Sequence, residues 1–412
     1  MFTRDREQVV RSVVLLAVLL TGAPAAAGQT LPSGPIALDN GRLAIGGEAS
    51  LSVAGRDPAY FNYTDYDLNA LRLIRLALAA EWRAGSRLSL LGDVRTENWD
   101  GVRAYALYAR LRPWIGRSID IQVGRIPPNF GAFARRGYGP DNLLIGFPLA
   151  YQYLTSLRPD ALPASASDLA QMRGRGWRVT YPIGSVAPGH GVPLVSAFRW
   201  DTGAQVRIGT EPVELSLSVT NGTLANPRVR DDNAGKQISG RVAVRPSPGW
   251  IVGASAARGA FVAGSAVASL AASVRDGSFT QRALGLDVEY SRAYWLVRAE
   301  AVFTAWRLPA IAAPRLDRPL GAAAISVEGR YKLIPALYVA ARAEHLAFSA
   351  IQISDGPGGR LPWDAPVTRL ELGGGYSLAR NLRAKLAYQH NWRDTRYYGS
   401  RGFAAAQLSY WF

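Results

Sequence analysis

Residues 399–412 read GSRGFAAAQLSYWF. From Ala404 onward the even positions Ala404, Ala406, Leu408, Tyr410 and Phe412 are apolar, and Ala405, Gln407, Ser409 and Trp411 fall between them. A period of two is the mark of a strand with one greasy face. The sequence closes on Phe412, with no polar residue after it. In a water-soluble protein such an end is an exposed edge and an aggregation hazard. It is stable if the strand closes a barrel in lipid, with its end in an aromatic interface belt. An ordinary buried final strand would show the same alternation, so the rest of the chain has to decide.

The 412 residues are 48% hydrophobic with a mean hydropathy of −0.01. Beyond the N-terminal segment no apolar run of about 18 residues offers a membrane helix. There is no Cys, which excludes disulfides and thiolate metal sites. The 42 Gly, 25 Pro and 10% aromatics suit many short strands with frequent turns. Formal charge is +16, and of the 47 basic residues only Lys236, Lys332 and Lys385 are lysine. The arginines alternate with apolar residues along strands and do not form runs, which argues against nucleic acid and leaves a membrane surface or anionic solutes.

Residues 1–27 read as an export signal. Arg4, Arg6 and Arg11 give the positive segment, 13–20 (VVLLAVLL) the apolar core, and Ala25, Ala26 and Ala27 a small-residue cleavage site before Gly28. No Cys follows the cut, so no lipid anchor is expected. Residues 28–40 form a short periplasmic lead-in, and 41–412 the barrel.

Five strands are expected at about 43–53, 74–83, 86–97, 101–113 and 118–125. Residues 126 to about 196 then break the pattern, and a structureless stretch of that length is expected only where it has a function. It reads as an excursion folding back into the barrel, with a short helix or hairpin near 172–183. Eleven strands follow at about 197–210, 212–221, 236–246, 250–259, 279–292, 294–308, 320–334, 336–350, 367–380, 382–394 and 399–412. Short and long connections alternate, as in an antiparallel up-and-down barrel with one loop-rich end. The count is sixteen, or eighteen if the excursion contributes a strand pair around 177–181.

Each strand has an apolar and a polar parity. A soluble sandwich would alternate too. Three features favour lipid: the export signal; aromatics near strand ends (Trp82, Trp250, Tyr290, Tyr294, Trp306, Tyr331, Tyr338, Trp392, Tyr410); and the many ionised residues on the other face, each of which would cost several kcal/mol in a dry core. A watery lumen accepts them.

By parity the lumen wall carries Arg75, Arg95, Arg110, Arg199, Arg207, Arg241, Arg298, Glu300, Glu328, Arg330, Lys332, Arg342, Glu344, Arg369, Glu371, Arg383 and Lys385. Strand direction would set arginines at 298, 330 and 342 in one row and their glutamates in another. That arrangement gives either a transverse field across a pore or a wall of mutually satisfied ion pairs. The excursion adds Arg135, Arg136, Arg158, Arg173, Arg175 and Arg178 against Asp141, Asp160 and Asp168. As the narrowest point it would favour anions. The three histidines show no metal-ligand spacing, and no cofactor is expected. An enzyme would have to use His345, beside Ser349, or His390 at the loop-side strand ends. The run Gly373-Gly374-Gly375 suits a bend or close packing.

Together, the export segment, sixteen strands, the long insertion after the fifth, the lack of Cys and the terminal Phe resemble the Gram-negative outer-membrane porin superfamily. The stretches VGRIPPNFG (123–131), RWDTG (199–203) and LSVTNG (217–222) resemble segments of its phosphate-selective members, although this chain lacks their lysine cluster. The resemblance implies a constricting lumen loop, a homotrimer, contact with outer-membrane lipid and lipopolysaccharide, and assembly by the barrel-assembly machinery with Leu408, Tyr410 and Phe412 as its signal. The expected function is passive diffusion of small hydrophilic solutes with an anion preference. A barrel enzyme hydrolysing lipids or esters, and a plugged structural or adhesive barrel, are the alternatives.

Overall fold

The computed structural model describes residues 34–64, 68–133, 139–197, 199–231, 235–275, 279–316, 318–354, 359–395 and 399–412. The export segment, most of the lead-in, and Arg135 and Arg136 lie outside the described residues.

Sixteen antiparallel strands form one closed barrel. They are β1 (Leu43–Ala54), β2 (Ile74–Arg83), β3 (Leu88–Glu97), β4 (Val102–Leu111), β5 (Ile119–Ile126), β6 (Asp201–Thr210), β7 (Val213–Thr220) and β8 (Gln237–Val244). The second half comprises β9 (Trp250–Ala260), β10 (Thr280–Arg292), β11 (Trp295–Trp306), β12 (Leu320–Ile334), β13 (Leu337–Phe348), β14 (Val367–Ala379), β15 (Leu382–Arg393) and β16 (Ser400–Trp411). A three-residue strand, Ile36–Leu38, is added beside β1. Every barrel strand pairs with the next. The β5–β6 ladder, with Ile121 opposite Val206, bridges the excursion.

Closure is made by β1 and β16, with Leu51 opposite Leu408 and Glu48 opposite Trp411. Leu408 and Tyr410 face outward and are exposed, whereas Phe403, Ala405, Ser409 and Trp411 face inward and are buried. Phe412 exchanges both backbone hydrogen bonds with Gly47, at 2.9 and 3.0 Å. Its ring lies where a Cβ on Gly47 would be, 2.7 Å from that position. The last residue therefore fills the seam, and the missing side chain at 47 is what admits it.

Outside, exposed Leu76, Leu217, Leu284, Phe303, Leu372 and Leu386 form an apolar surface all round. Trp82, Trp250, Tyr294, Trp392 and Tyr410 are exposed near strand ends, as an interface belt requires. Trp306 and Tyr338 are corrections to that belt. Both lie on the inward parity and are buried, Trp306 against Phe261 and Trp363, and Tyr338 with its hydroxyl donating to Leu143 O at 2.8 Å. Lys332, read as inward, sits beside a bulge at the β12–β13 turn end and is exposed.

The excursion runs from 127 to 200, a few residues longer than expected. It holds two short helices, α1 (Leu149–Gln152) and α2 (Ala166–Gln171), and a two-residue ladder of Ala161–Leu162 with Ile183–Gly184. Among the described residues none of it joins the barrel sheet, so the count is sixteen and not eighteen. Ser165 and Asp168 cap α2 reciprocally. The main hydrophobic core lies inside the barrel: Phe130, Phe133, Phe147, Tyr151, Leu157 and Leu169 of the excursion pack with Val302, Leu346, Val367 and Phe403 of the wall.

Candidate functional site: the lumen and its constriction

Inward positions on β2–β8 carry arginines, as parity requires, and each has a carboxylate partner. Arg75 meets Glu97 at 2.7 Å, Arg95 meets Asp93 at 2.7 Å, and Arg110 bonds Glu81. Arg207 meets Glu214 at 2.7 Å, and Arg241 meets Asp287 of β10 at 2.5 Å. The Arg95 guanidinium also lies 3.5 Å from the centre of the Tyr105 ring. Arg199 precedes β6 and belongs to the end of the excursion, not to the barrel strand.

On β10–β14 the register overturns the rows of like charge. Glu289 lies opposite Arg298, Arg298 opposite Glu328, Glu328 opposite Arg342, and Arg342 opposite Glu371. The signs alternate around the wall. Contacts are 2.7 Å for Arg298–Glu289, 3.4 Å for Arg298–Glu328, 3.1 Å for Arg342–Glu328 and 2.6 Å for Arg342–Glu371. Strand order alone put the arginines level. The stagger between neighbours, which periodicity does not contain, moved Arg330 two residues away from the row.

This wall holds the excursion. Arg342, Arg369, Glu371 and Lys385 are buried and do not face open water. Glu371 accepts from Gly146 N at 2.9 Å, and Glu344 accepts from Leu149 N, at the start of α1, at 2.8 Å. Arg342 donates to Gly146 O at 2.6 Å and Arg369 to Phe147 O at 3.0 Å. Lys385 donates to the carbonyls of Gly139, Asn142 and Leu144, and Arg383 to Pro140 O. Glu300 takes Ala132 N at 2.9 Å and the Tyr151 hydroxyl at 2.5 Å; Glu48 takes Gly139 N at 2.9 Å. Charged side chains thus replace water as partners for a non-regular backbone, which must be satisfied when buried. Gly373 and Gly375 clear the space: Cβ atoms there would lie 3.0 Å from Leu144 and 2.6 Å from the Tyr338 ring. The glycine run is a close-packing site.

At the loop end, Asp364 accepts from Ser156 N and Gly174 N, both at 2.7 Å, fastening the middle of the excursion to the β13–β14 loop. Burial pushes its carboxyl above the usual range, against the lowering effect of those amides. The described parts of the first long loop, 55–64 and 68–73, also turn inward. Phe61 is fully buried, its carbonyl accepts from Arg369 at 3.1 Å, and Asn62 donates to Gln389 at 2.9 Å. Sequence reading missed these anchors. Apart from the adjacent Ala365 amide, the partners of Asp364 lie 190 and 208 residues away in sequence, and only the aromatic run at 60–63 hinted that the first loop is packed.

The constriction residues divide. Arg158 is buried and committed to the excursion's own fold, donating to Asp160 at 2.9 and 3.1 Å and to the carbonyls of Val179 and Ala187. Arg178 and Asp141 are exposed, and Arg173 and Arg175 are half-buried. Arg175 and Arg178 border a cavity of about 400 Å³ with Tyr60, Tyr153, Trp177 and Arg393. Tyr60 stacks on Trp177 at 5.2 Å, and Trp177 on His190 at 5.7 Å. His345 and His390 lie on the outward parity with Tyr388 and Trp392. His345 pairs with Thr368 at 2.9 Å, and Ser349 with Gly321 N, so the postulated Ser–His pair is not assembled.

No family model matches the chain, and no curated protein does. Solved structures do. OmpT, an outer membrane protein of Vibrio cholerae, aligns over 92% of this chain and 100% of its own, with a TM-score of 0.52 at 12% identity. The fold is the porin fold. An anion-selective porin from Comamonas acidovorans aligns over 90% of this chain and 99% of its own, with a TM-score of 0.50 at 10% identity. Salmonella typhi OmpF, solved with daunomycin, covers 90% and 97%, with a TM-score of 0.50 at 14% identity. At these identities the shared feature is the fold alone.

Proposed function

We propose that the chain is an outer-membrane channel through which small hydrophilic solutes diffuse passively, with a preference for anions. The observation that carries the proposal is the excursion at 127–200, bonded through its main chain to wall charges inside a closed barrel with an apolar exterior. A segment held this way is a fixed constriction. Its charged anchors fall on β11, β13–β15 and β1, and Ser216, Ser239, Ser255 and Gln281 of β7–β10 add neutral ones. The solute path is assigned to the remaining side of the barrel, where Arg75, Arg95, Arg110 and Arg207 are held in buried ion pairs. Selectivity is assigned to Arg173 and Arg178, with Arg175 beside them, at the loop end and to Arg330 and Arg383 at the turn end, where the constriction meets the two mouths. Arg135 and Arg136 belong to the same segment and are proposed to add to it.

Export by the N-terminal signal, contact with lipid and lipopolysaccharide, and delivery by the barrel-assembly machinery through Leu408, Tyr410 and Phe412 belong to this reading. So does a homotrimer, a form in which OmpT has been solved. The burial of Arg342, Arg369 and Lys385 favours a second reading, a plugged barrel. Planar-bilayer recording separates the two. The channel reading expects discrete conductance steps and, under a KCl gradient, a reversal potential of the sign for anions. Neutralising Arg173, Arg175 and Arg178 together moves that potential toward zero. Steady absence of current, with conductance appearing only on removal of 140–190, would establish the plug.

A further inference from the structure

We infer that the loop-end mouth holds a preformed binding site for small aromatic carboxylates, which gives the proposed channel a solute class. The site is the cavity of about 400 Å³ between the first long loop, the excursion and the end of β15, a volume in the range of small-molecule pockets. Three guanidinium groups border it: Arg175 and Arg178 from the stretch GRGWR (174–178), and Arg393 from β15. Among the described residues that line it there is no carboxylate and no side-chain amide. Exposed Arg178 has no ion-pair partner among the described residues. The lining therefore calls for an anion, and it lacks the acids and amides that would read sugar hydroxyls.

A bare inorganic anion would not need the rest of the wall. Tyr60, Tyr153 and Trp177 make it aromatic. Tyr60 and Tyr63 pack on Trp177 at 5.2 and 4.7 Å, so these rings are ordered before a ligand arrives and binding costs little side-chain entropy. Tyr60 has a φ of 57°, a left-handed conformation that a bulky side chain rarely adopts. Strain of this kind persists only where the surroundings enforce it, and it clusters at ligand sites. Here it separates two successive rings: Phe61 is fully buried, whereas Tyr60 is half-buried at the cavity. Such a wall favours a flat apolar body that stacks or meets the rings edge to face.

The charged end is fixed as firmly. Gly174 N donates to Asp364, Gly191 N to Gly176 O at 2.6 Å, and Arg178 N to Arg175 O at 2.8 Å, which holds the GRGWR turn. A Cβ at Gly176 would clash with Leu154 O, so glycine there admits the close approach of the two segments. Arg393 is buried, with its guanidinium 4.4 Å from the centre of the Phe61 ring. Beside it the buried Tyr153 hydroxyl makes no hydrogen bond of ordinary geometry. A hydroxyl so placed is costly until an acceptor arrives. A carboxylate accepting from Tyr153 and Arg393, with Arg178 at the rim, meets that need. The inference rests on the channel reading, but it is tested by binding in detergent, so a silent bilayer would fail that reading and leave the binding result standing.

The test is isothermal titration calorimetry of the full chain, refolded in detergent, at neutral pH with benzoate, acetate and uncharged benzamide. We expect benzoate to bind about tenfold tighter than either of the others. Tyr60→Gly removes a ring and accepts the same φ without strain, and should bring benzoate toward the affinity of acetate. Arg178→Gln should bring it toward the affinity of benzamide. Arg258→Gln, exposed on the outer wall, should bind benzoate as wild type does. Migration of the unboiled protein on a gel confirms that each barrel is folded. Acetate or benzamide binding as tightly as benzoate would overturn the site, and so would unchanged benzoate affinity in folded Tyr60→Gly or Arg178→Gln. An equal loss in Arg258→Gln would reveal a general charge effect and overturn it too.

Discussion

Arg342→Met tests how the constriction is held. Arg342 is buried between Glu328, Glu344 and Glu371 and also donates to Gly146 O. Methionine keeps much of the volume and removes the charge, leaving three buried carboxylates without their shared cation. Removing one partner of a buried ion pair typically costs about 3–5 kcal/mol. The barrel can avoid most of that by letting water reach the carboxylates, which means releasing residues 142–149 from the wall. At tenfold per 1.4 kcal/mol, a shift of about 3 kcal/mol raises the released population about 100-fold. Proteinase K cleavage within 139–149 reports that population when opening is fast relative to cutting. The expected result is a comparable rise in cleavage rate while the unboiled barrel still migrates as folded. Arg342→Met/Glu371→Gln, which discharges one stranded carboxylate, should recover part of the protection. Wild-type cleavage rates in a folded Arg342→Met barrel would refute the view that this cation fastens the segment.

Asp364→Ala should free the amides of Ser156 and Gly174 and increase cleavage near 170–178, with the 139–149 region still protected; mapping the fragments checks this. Phe412→Ala removes the ring that fills the β1–β16 seam, and should lower the yield of heat-modifiable folded barrel several-fold in refolding assays. Gly375→Leu would place a side chain into the Tyr338 ring, and should release Leu143 and lower folded yield; Gly329→Leu, where a Cβ meets no atom within 4 Å, is the control and should fold as wild type.

The barrel was legible in the sequence because its physics is local. Period-two alternation, as in Leu370, Leu372 and Tyr376 against Arg369 and Glu371, gives strand direction and face at once. Alternating long and short connections give up-and-down topology and a count of sixteen. What alternation omits is stagger, and stagger decided that Arg298 meets Glu328 and not Arg330. The excursion was legible as an interruption but not as a fold. Its order comes from contacts hundreds of residues apart, such as Lys385 on Asn142 O and Asp364 on Gly174 N. For the same reason Arg158 read as a pore residue, whereas the folded chain uses it to tie Val179 and Ala187 together. Trp306 and Tyr338 were placed in the interface belt from composition near strand ends, although their own parity pointed inward.

The most direct test of the central claim is single-channel recording of the purified protein in a planar bilayer under a KCl gradient. The channel account predicts discrete steps, a reversal potential of anion-selective sign, and larger steps when residues 140–190 are deleted. Cation-selective reversal would contradict the selectivity assigned to the arginines, and silence in the folded wild-type protein would contradict the channel itself.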